Sequence, residues 1–421
     1  MKQFAWLIIL LLTSCINNGQ KITSAAALDI ELDLSNITTI PIDSLNYISL
    51  VIKEEDVVCD PDKLIDYIEY IPLETRANIL IGNINKLFIH NDMIYILDAS
   101  QAMSVFIFDI TGKHINTIAG LGRGPQEYLR LGNMTIDKIN NELILMDDLL
   151  HTLLFYDLEG NFQKKQNMGM RISELVRIDN DNFLLRSGRN WNDHIGPSSY
   201  FRVTIGDPFK EIKQHGFKMN SFDKQIFISG YSHFRPYKDG ILFSASFTNE
   251  IYNISTDGKA NLKYRFIFPN GSPEMYAAMG IDPDNTDNFT NEIVRKRMWW
   301  FLGSNYIETD RFLFAGLTRG NAMVNLVYDK IDNESLVFYT KNLTETGKAF
   351  ANLPPLCDYE GYLYSTISAF DVLNCKSETQ KKYSNPDWKL PDKLLNIKEE
   401  DNPVIVKYTI KTPIRDAYVK E

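Results

Sequence analysis

Three stretches of the chain share one shape: Val105–Gly112, Leu153–Gly160 and Glu250–Gly258. Each is an aromatic-rich run, then Asp or Asn, then a short turn ending in Gly. A glycine at that place supplies the positive φ of a tight hairpin. Each run is followed by another strand-like segment: His114–Ile118, Asn161–Lys165 and Ala260–Phe266. Each is preceded by one, as at Met93–Leu97, Glu142–Met146 and Gly240–Ser244, and before that lies one more, as at Ile84–Ile89 or Met134–Lys138. The unit is therefore four short strands. From Asp109 to Asp157 is 48 residues, and the same step leads to Ile205 at the end of Tyr200–Ile205 and on to Asn253. The next equivalents are Val327–Asp329, 76 residues later, and Val404–Ile410, about 80 later. Six copies of a four-stranded unit predict an all-β fold, a six-bladed β-propeller with antiparallel blades.

The ends of the chain fit a closed ring. Tyr67–Glu74 precedes Leu80–Ile84 as His114–Ile118 precedes Leu131–Met134, so it reads as a fourth strand without a blade of its own. Val404–Ile410 reads as a third strand with no fourth strand after it. Pairing the two completes the last blade and removes the open edges of the ring. The long intervals hold insertions at about 269–306 and 376–403. The first predicts a helix over Asn291–Leu302, with Ile293, Met298, Phe301 and Leu302 on one side. Trp299 and Trp300 then either seat that helix on the rim or form a binding platform. The second insertion carries Trp388 and a short helix within Pro391–Lys398.

The N-terminus carries an address. Lys2 precedes an apolar run, Phe4–Leu12, that is too short to span a bilayer permanently. It ends in Leu12-Thr13-Ser14-Cys15, which resembles the lipobox of bacterial lipoproteins. The resemblance implies cleavage before Cys15, acylation of its thiol and anchoring through several acyl chains. Residues 1–14 are then a signal peptide. Residues 15–60 form a lipidated tether and N-terminal segment, of which Ile16–Ala27 is polar and small. Residues 61–421 form the propeller. The mature start, Cys15-Ile-Asn-Asn-Gly-Gln20, lacks acidic residues that would mark surface export, so the periplasmic side is expected.

A net charge of −10 and the lack of a basic stripe exclude a nucleic-acid partner. Apart from Cys15 three cysteines remain, Cys59, Cys357 and Cys375, and a Cys357–Cys375 bridge is compatible with an oxidising compartment. No CxxC or Cys/His cluster points to zinc, and no cofactor is implied. GxSxG, P-loop and HExxH motifs are absent. Asp98 and Asp147 occupy equivalent blade positions and read as acceptors for turn amides, not as a catalytic pair.

Gly120-Leu-Gly-Arg-Gly-Pro-Gln-Glu-Tyr128 resembles the glycine-rich link of NHL-type repeats. It is closer still to the GxGPGEY segment of six-bladed propeller lipoproteins of Bacteroidota, with Gln126 where that family has Gly. Ile68–Glu74, Ile94–Asp98 and Asp401–Val406 fit the same family, over roughly residues 60 to 411. The resemblance implies the fold and little about activity. In the link itself the glycines and Pro125 set the backbone, and Tyr128 is placed to pack between blades.

In such a ring the links between blades and the turns from second to third strand lie on one face. That face would carry Arg123, Gln126 and Glu127 from the link, His151, the 188–197 loop with Trp191 and His194, and Arg319. Long loops on a rigid ring are where binding concentrates. Trp191 and His194 suit a sugar or peptide ligand, with Trp191 otherwise capping the ring. The expected role is that of a non-enzymatic binding or scaffold lipoprotein, anchored in the membrane through Cys15 and presenting this face to an envelope protein, peptide or glycan. The alternative is a lactonase-like, metal-dependent hydrolase or lyase, which requires Asp, Glu, Asn or His side chains converging in the central channel.

Overall fold

The computed structural model describes residues 30–53, 58–59, 61–187, 192–219, 232–246, 248–271, 286–339, 354–374 and 390–419. Six antiparallel sheets, each contributing four strands to the ring, follow one another along the chain. Blade 1 is Lys86–His90, Met93–Asp98, Ser104–Asp109 and His114–Ile118. Blade 2 is Leu131–Asp137, Glu142–Asp147, Thr152–Asp157 and Phe162–Asn167. Blade 3 is Glu174–Arg177, Phe183–Arg186, Phe201–Asp207 and Glu211–Lys218. Blade 4 is Phe234–Tyr237, Gly240–Phe243, Glu250–Ser255 and Ala260–Ile267. Blade 5 is Trp299–Glu308, Phe312–Arg319, Ala322–Asp329 and Glu334–Phe338. Blade 6 is Cys357–Tyr359, Tyr362–Ile367 and Val404–Ile410, completed by the N-terminal strand Ile65–Pro72.

The closure predicted from sequence is present. Val404 stands opposite Pro72 and Lys407 opposite Glu69 in an antiparallel ladder. The strands form because β-branched and aromatic residues alternate over short runs ended by turn residues. Each blade is apolar on both faces, and six apolar clusters lie between the blades, one for each neighbouring pair. The link after blade 1 folds back on itself: Gly122 N donates to Tyr128 O and Tyr128 N to Gly120 O, each at 2.9 Å. Tyr128 is fully buried between blades 1 and 2, and its hydroxyl donates to Met103 O at 2.7 Å.

Two sequence expectations need correction. The helix in the first insertion runs over Thr286–Arg295 and stops there. Arg297 takes a positive φ of 49°, and Trp299–Glu308 is the first strand of blade 5. The run Trp299–Phe301 pairs with Leu317–Arg319, which a ring needing an inner strand at this place requires. Aromatic strand preference and tertiary pairing override the helical period. Trp299 is 2% exposed and stacks on Phe268, while Trp300 Nε1 donates to Gly320 O at 3.0 Å, so the pair forms strand and core and not a rim platform. In the second insertion a single 3-10 turn, Asp392–Leu394, stands where a short helix was expected, and Trp388 lies outside the described residues.

The segment before residue 61 also contributes to the ring. Thr38–Thr39 pairs in parallel with the outer strand of blade 3. Ile42–Asp43 and Ile48–Val51 pair in parallel with the outer strand of blade 4. This strap buries Leu32, Ile40, Leu50 and Ile52. Glycines make room for it: a Cβ on Gly216 would lie 2.9 Å from Ile40, and one on Gly169 would lie 2.6 Å from Leu32.

Candidate functional site

The six inner strands surround a central channel, and buried polar groups close one of its ends. Lys86 of blade 1 extends its ammonium to Asn133 Oδ1 of blade 2 at 2.9 Å and to Glu174 Oε1 of blade 3 at 3.2 Å. Glu174 Oε2 accepts the backbone N–H of His233 at 2.8 Å, at the start of blade 4. Tyr306 of blade 5 donates its hydroxyl to His233 O at 2.8 Å. Arg235 of blade 4 donates to Leu356 O at 3.0 Å, beside blade 6, and to Ser304 O of blade 5 at 3.4 Å. All six blades are stapled by this network. Lys86 and Glu174 have side chains 5% and 1% exposed, so each depends on the other for its charge. Burial, with Arg235 and Arg186 nearby, pulls the Lys86 ammonium below its usual range, and Glu174 opposes the fall. Burial pushes His233 well below its usual value, so its ring is neutral.

Lys86, Asn133, Glu174 and His233 sit at the starts of the inner strands, on the face that carries the links and the second-to-third-strand turns. Towards the opposite face the channel opens. A cavity of about 100 Å³ is lined by Lys86, Phe88, Thr135, Val176, Arg235 and Cys357 among others. It shares Lys138, Pro236, Glu308 and Asp358 with a wider mouth of about 530 Å³. Glu308 is held by Lys330 and Lys263, each at 2.7 Å, and by the Tyr264 hydroxyl at 2.8 Å. Asp358 is the acid left facing the cavity. Cys357 is a free buried thiol, pushed up by burial, while Cys375 lies outside the described residues. Among the described residues no three His, Cys, Asp or Glu side chains are grouped so as to share a metal ion.

Of the residues singled out in the sequence, those that are described lie around the link face, and none of them lines the channel cavity or its mouth. Arg123 and Gln126 are exposed. Glu127 Oε2 accepts Gly124 N at 2.7 Å, and its carbonyl accepts the Lys165 ammonium at 2.6 Å, so it holds the link closed. His151 is half-buried at a φ of 53° and its pKa is lowered by burial and by Arg171. His194 is exposed in the 3-10 segment Asp193–Tyr200, with Nε2 2.8 Å from Gly169 O. Arg319 lies over the Trp299 ring, 5.6 Å from its centre. Trp191 lies outside the described residues. Asp98 and Asp147 accept turn amides as expected: Asp98 takes Gly82 N, Asn83 N, Ser100 N and Gln101 N at 2.8 to 3.2 Å. Asp147 takes Leu129 N, Leu149 N and Leu150 N at 2.7 to 3.0 Å.

What sequence reading missed is the channel itself. Lys86, Glu174 and Arg235 come from three different blades. The available signal was a polar residue at the same place of successive inner strands, Lys86, Asn133 and Glu174.

Among curated proteins no relative matches the chain. A protein of Bacteroides fragilis described as exported shares its fold, with a TM-score of 0.69 and 19% identity over 87% of this chain and 100% of that one. A member of the DUF4221 family from Bacteroides vulgatus aligns at a TM-score of 0.48 and 12% identity, covering 83% of this chain and 98% of that one. The model of the family described as "Domain of unknown function (DUF4934)" matches residues 48–409, and by that match the chain belongs to this family.

Proposed function

We propose that this protein is a non-catalytic binding protein of the cell envelope, tethered through lipid on Cys15, that receives its ligand at the open mouth of the channel. The observation that carries the reading is the one-ended channel. At its closed end Lys86, Asn133 and Glu174 are committed to holding strands together. At its open end a cavity of about 530 Å³ presents Lys138, Lys238, Asp310 and Asp358 with apolar walls behind them. That volume lies in the range of ligand clefts, about 300–1,000 Å³. An acid-base or metal-assisted reaction would need channel carboxylates free to act together. Glu174 and Glu308 are instead spent on lysines and on amide or hydroxyl donors. The lipobox-like Leu12–Cys15 and the likeness to an exported Bacteroides fragilis protein support the envelope address.

Peptide and glycan arrays test the site. The probe set is wild-type protein, the mouth variant Lys138→Glu/Lys238→Glu and the link-face variant Arg123→Glu/Gln126→Glu. Hits of the wild type should disappear with the mouth variant and survive the link-face change. The opposite pattern would return the site to the link face. Feeding cells an alkyne-tagged palmitate tests the anchor: label should follow the protein and vanish in Cys15→Ala.

A further inference from the structure

Deep in the channel lies a guanidinium that the described residues leave without a salt bridge. Arg235 donates to two backbone carbonyls, Leu356 O and Ser304 O, and among the described residues it forms no ion pair with a carboxylate. Its Nε is buried with no hydrogen-bond partner among the described residues. The nearest acids are otherwise engaged. Glu174 holds Lys86 at 3.2 Å, and Glu308 holds Lys330 and Lys263. Asp358 lines the same cavity but makes no hydrogen bond to the guanidinium.

A guanidinium taken out of water without a counter-ion is costly, and its planar set of donors matches a carboxylate. The walls beside it are apolar: Phe88, Ile136, Val176, Phe234 and Ile307. The cavity holds about 100 Å³. An apolar cavity of about 150 Å³ accepts benzene, so this one takes only a few heavy atoms. Lys138, at the junction of cavity and mouth, adds a second cation on the way in. We propose that the channel binds a small organic carboxylate, its anionic end against Arg235 and a short apolar segment between the walls. This rests on the reading of the mouth as the binding face and names the chemistry of what enters it. A bare inorganic anion gains nothing from the walls, and an uncharged molecule gains nothing from Arg235.

Titration calorimetry on the full mature chain tests this, with propionate and butyrate as probes and butanol, butylamine, sulfate and phosphate as controls. The carboxylates should bind about tenfold or more tightly than any control. Arg235→Gln should lose about tenfold or more in affinity, and Val176→Phe, which keeps Arg235 but fills the space, should lose binding as well. Thermal melts establish that each variant is folded. If Arg235→Gln fails to fold, Val176→Phe alone carries the test. Equal binding of butanol, equal binding of sulfate, or undiminished binding to folded Val176→Phe overturns the proposal. If the carboxylates fail while array ligands still require the mouth lysines, this inference falls and the binding face stands. If both fail, the binding face falls with it.

Discussion

At the scale of single residues, buried acids do the positioning. Asp98 is completely buried at the end of a second strand and gathers four turn amides, two of them from the segment leading into its own blade. Removing the carboxylate strands those N–H groups. Asp98→Ala should cost about 3 kcal/mol in urea denaturation, with Asp109→Ala, at an exposed hairpin, costing far less. Burial raises the Asp98 pKa and the amide donors more than offset it, so the folded value lies below the ordinary 3.8. A carboxyl depressed on folding stabilises above its unfolded value and loses that contribution as pH falls through the folded one. Stability should therefore drop below about pH 4, and Asp98→Asn should flatten that drop. The Lys86–Glu174 pair behaves differently. Glu174→Ala leaves a buried ammonium unpaired and should cost about 3–5 kcal/mol, while Lys86→Met/Glu174→Leu should cost much less. Asp98 was legible in the sequence because its turn recurs at Asp147. Glu174 was not, because its partners stand 88 and 59 residues away and no local pattern announces them.

At the scale of elements, recurring hairpins were readable and unique segments were not. The third strands and their Gly turns repeat, so register could be counted from one blade to the next. The strap over residues 38–51 occurs once and pairs in parallel, a mode that leaves no hairpin signature. Its seat is written instead in the outer strand of blade 3, where Gly216 leaves room for the Ile40 side chain. Gly216→Ala should loosen the strap. Amide exchange at Ile40, whose N–H is bonded to His215 O at 2.8 Å, should then speed up while the amides of blades 1 and 6 stay protected. Unchanged protection at Ile40 would show that the strap does not depend on this contact. The helix in the first insertion was half right for a related reason. Asn291–Arg295 of the expected run is helical, within Thr286–Arg295, but the aromatic run after it answers to the needs of the blade.

At the scale of the molecule, closure was foreseen from the chain ends, and the direction of the channel was not. The fourth strand of blade 6 comes from Ile65–Pro72 and joins residues more than 300 positions apart. Ile71→Pro, in the middle of the closing ladder opposite Ile405, should lower the melting temperature and broaden the transition, since every other blade leans on a closed ring. Sequence pointed to the link face because the long loops are there. The structure puts a polar plug under that face and the cavity at the other, because which side chains fill the axis is decided by six strands together.

The most direct test of the one-ended channel uses a thiol already in place. Cys357 lines the deep cavity. Its modification by a small uncharged thiol reagent, followed by mass spectrometry of its own peptide, reports the route by which solutes arrive. Lys138→Trp, at the mouth, should slow that reaction about tenfold or more, and Arg123→Trp, on the link face, should leave it unchanged. A rate that falls with Arg123→Trp and not with Lys138→Trp would mean that the channel opens on the other side.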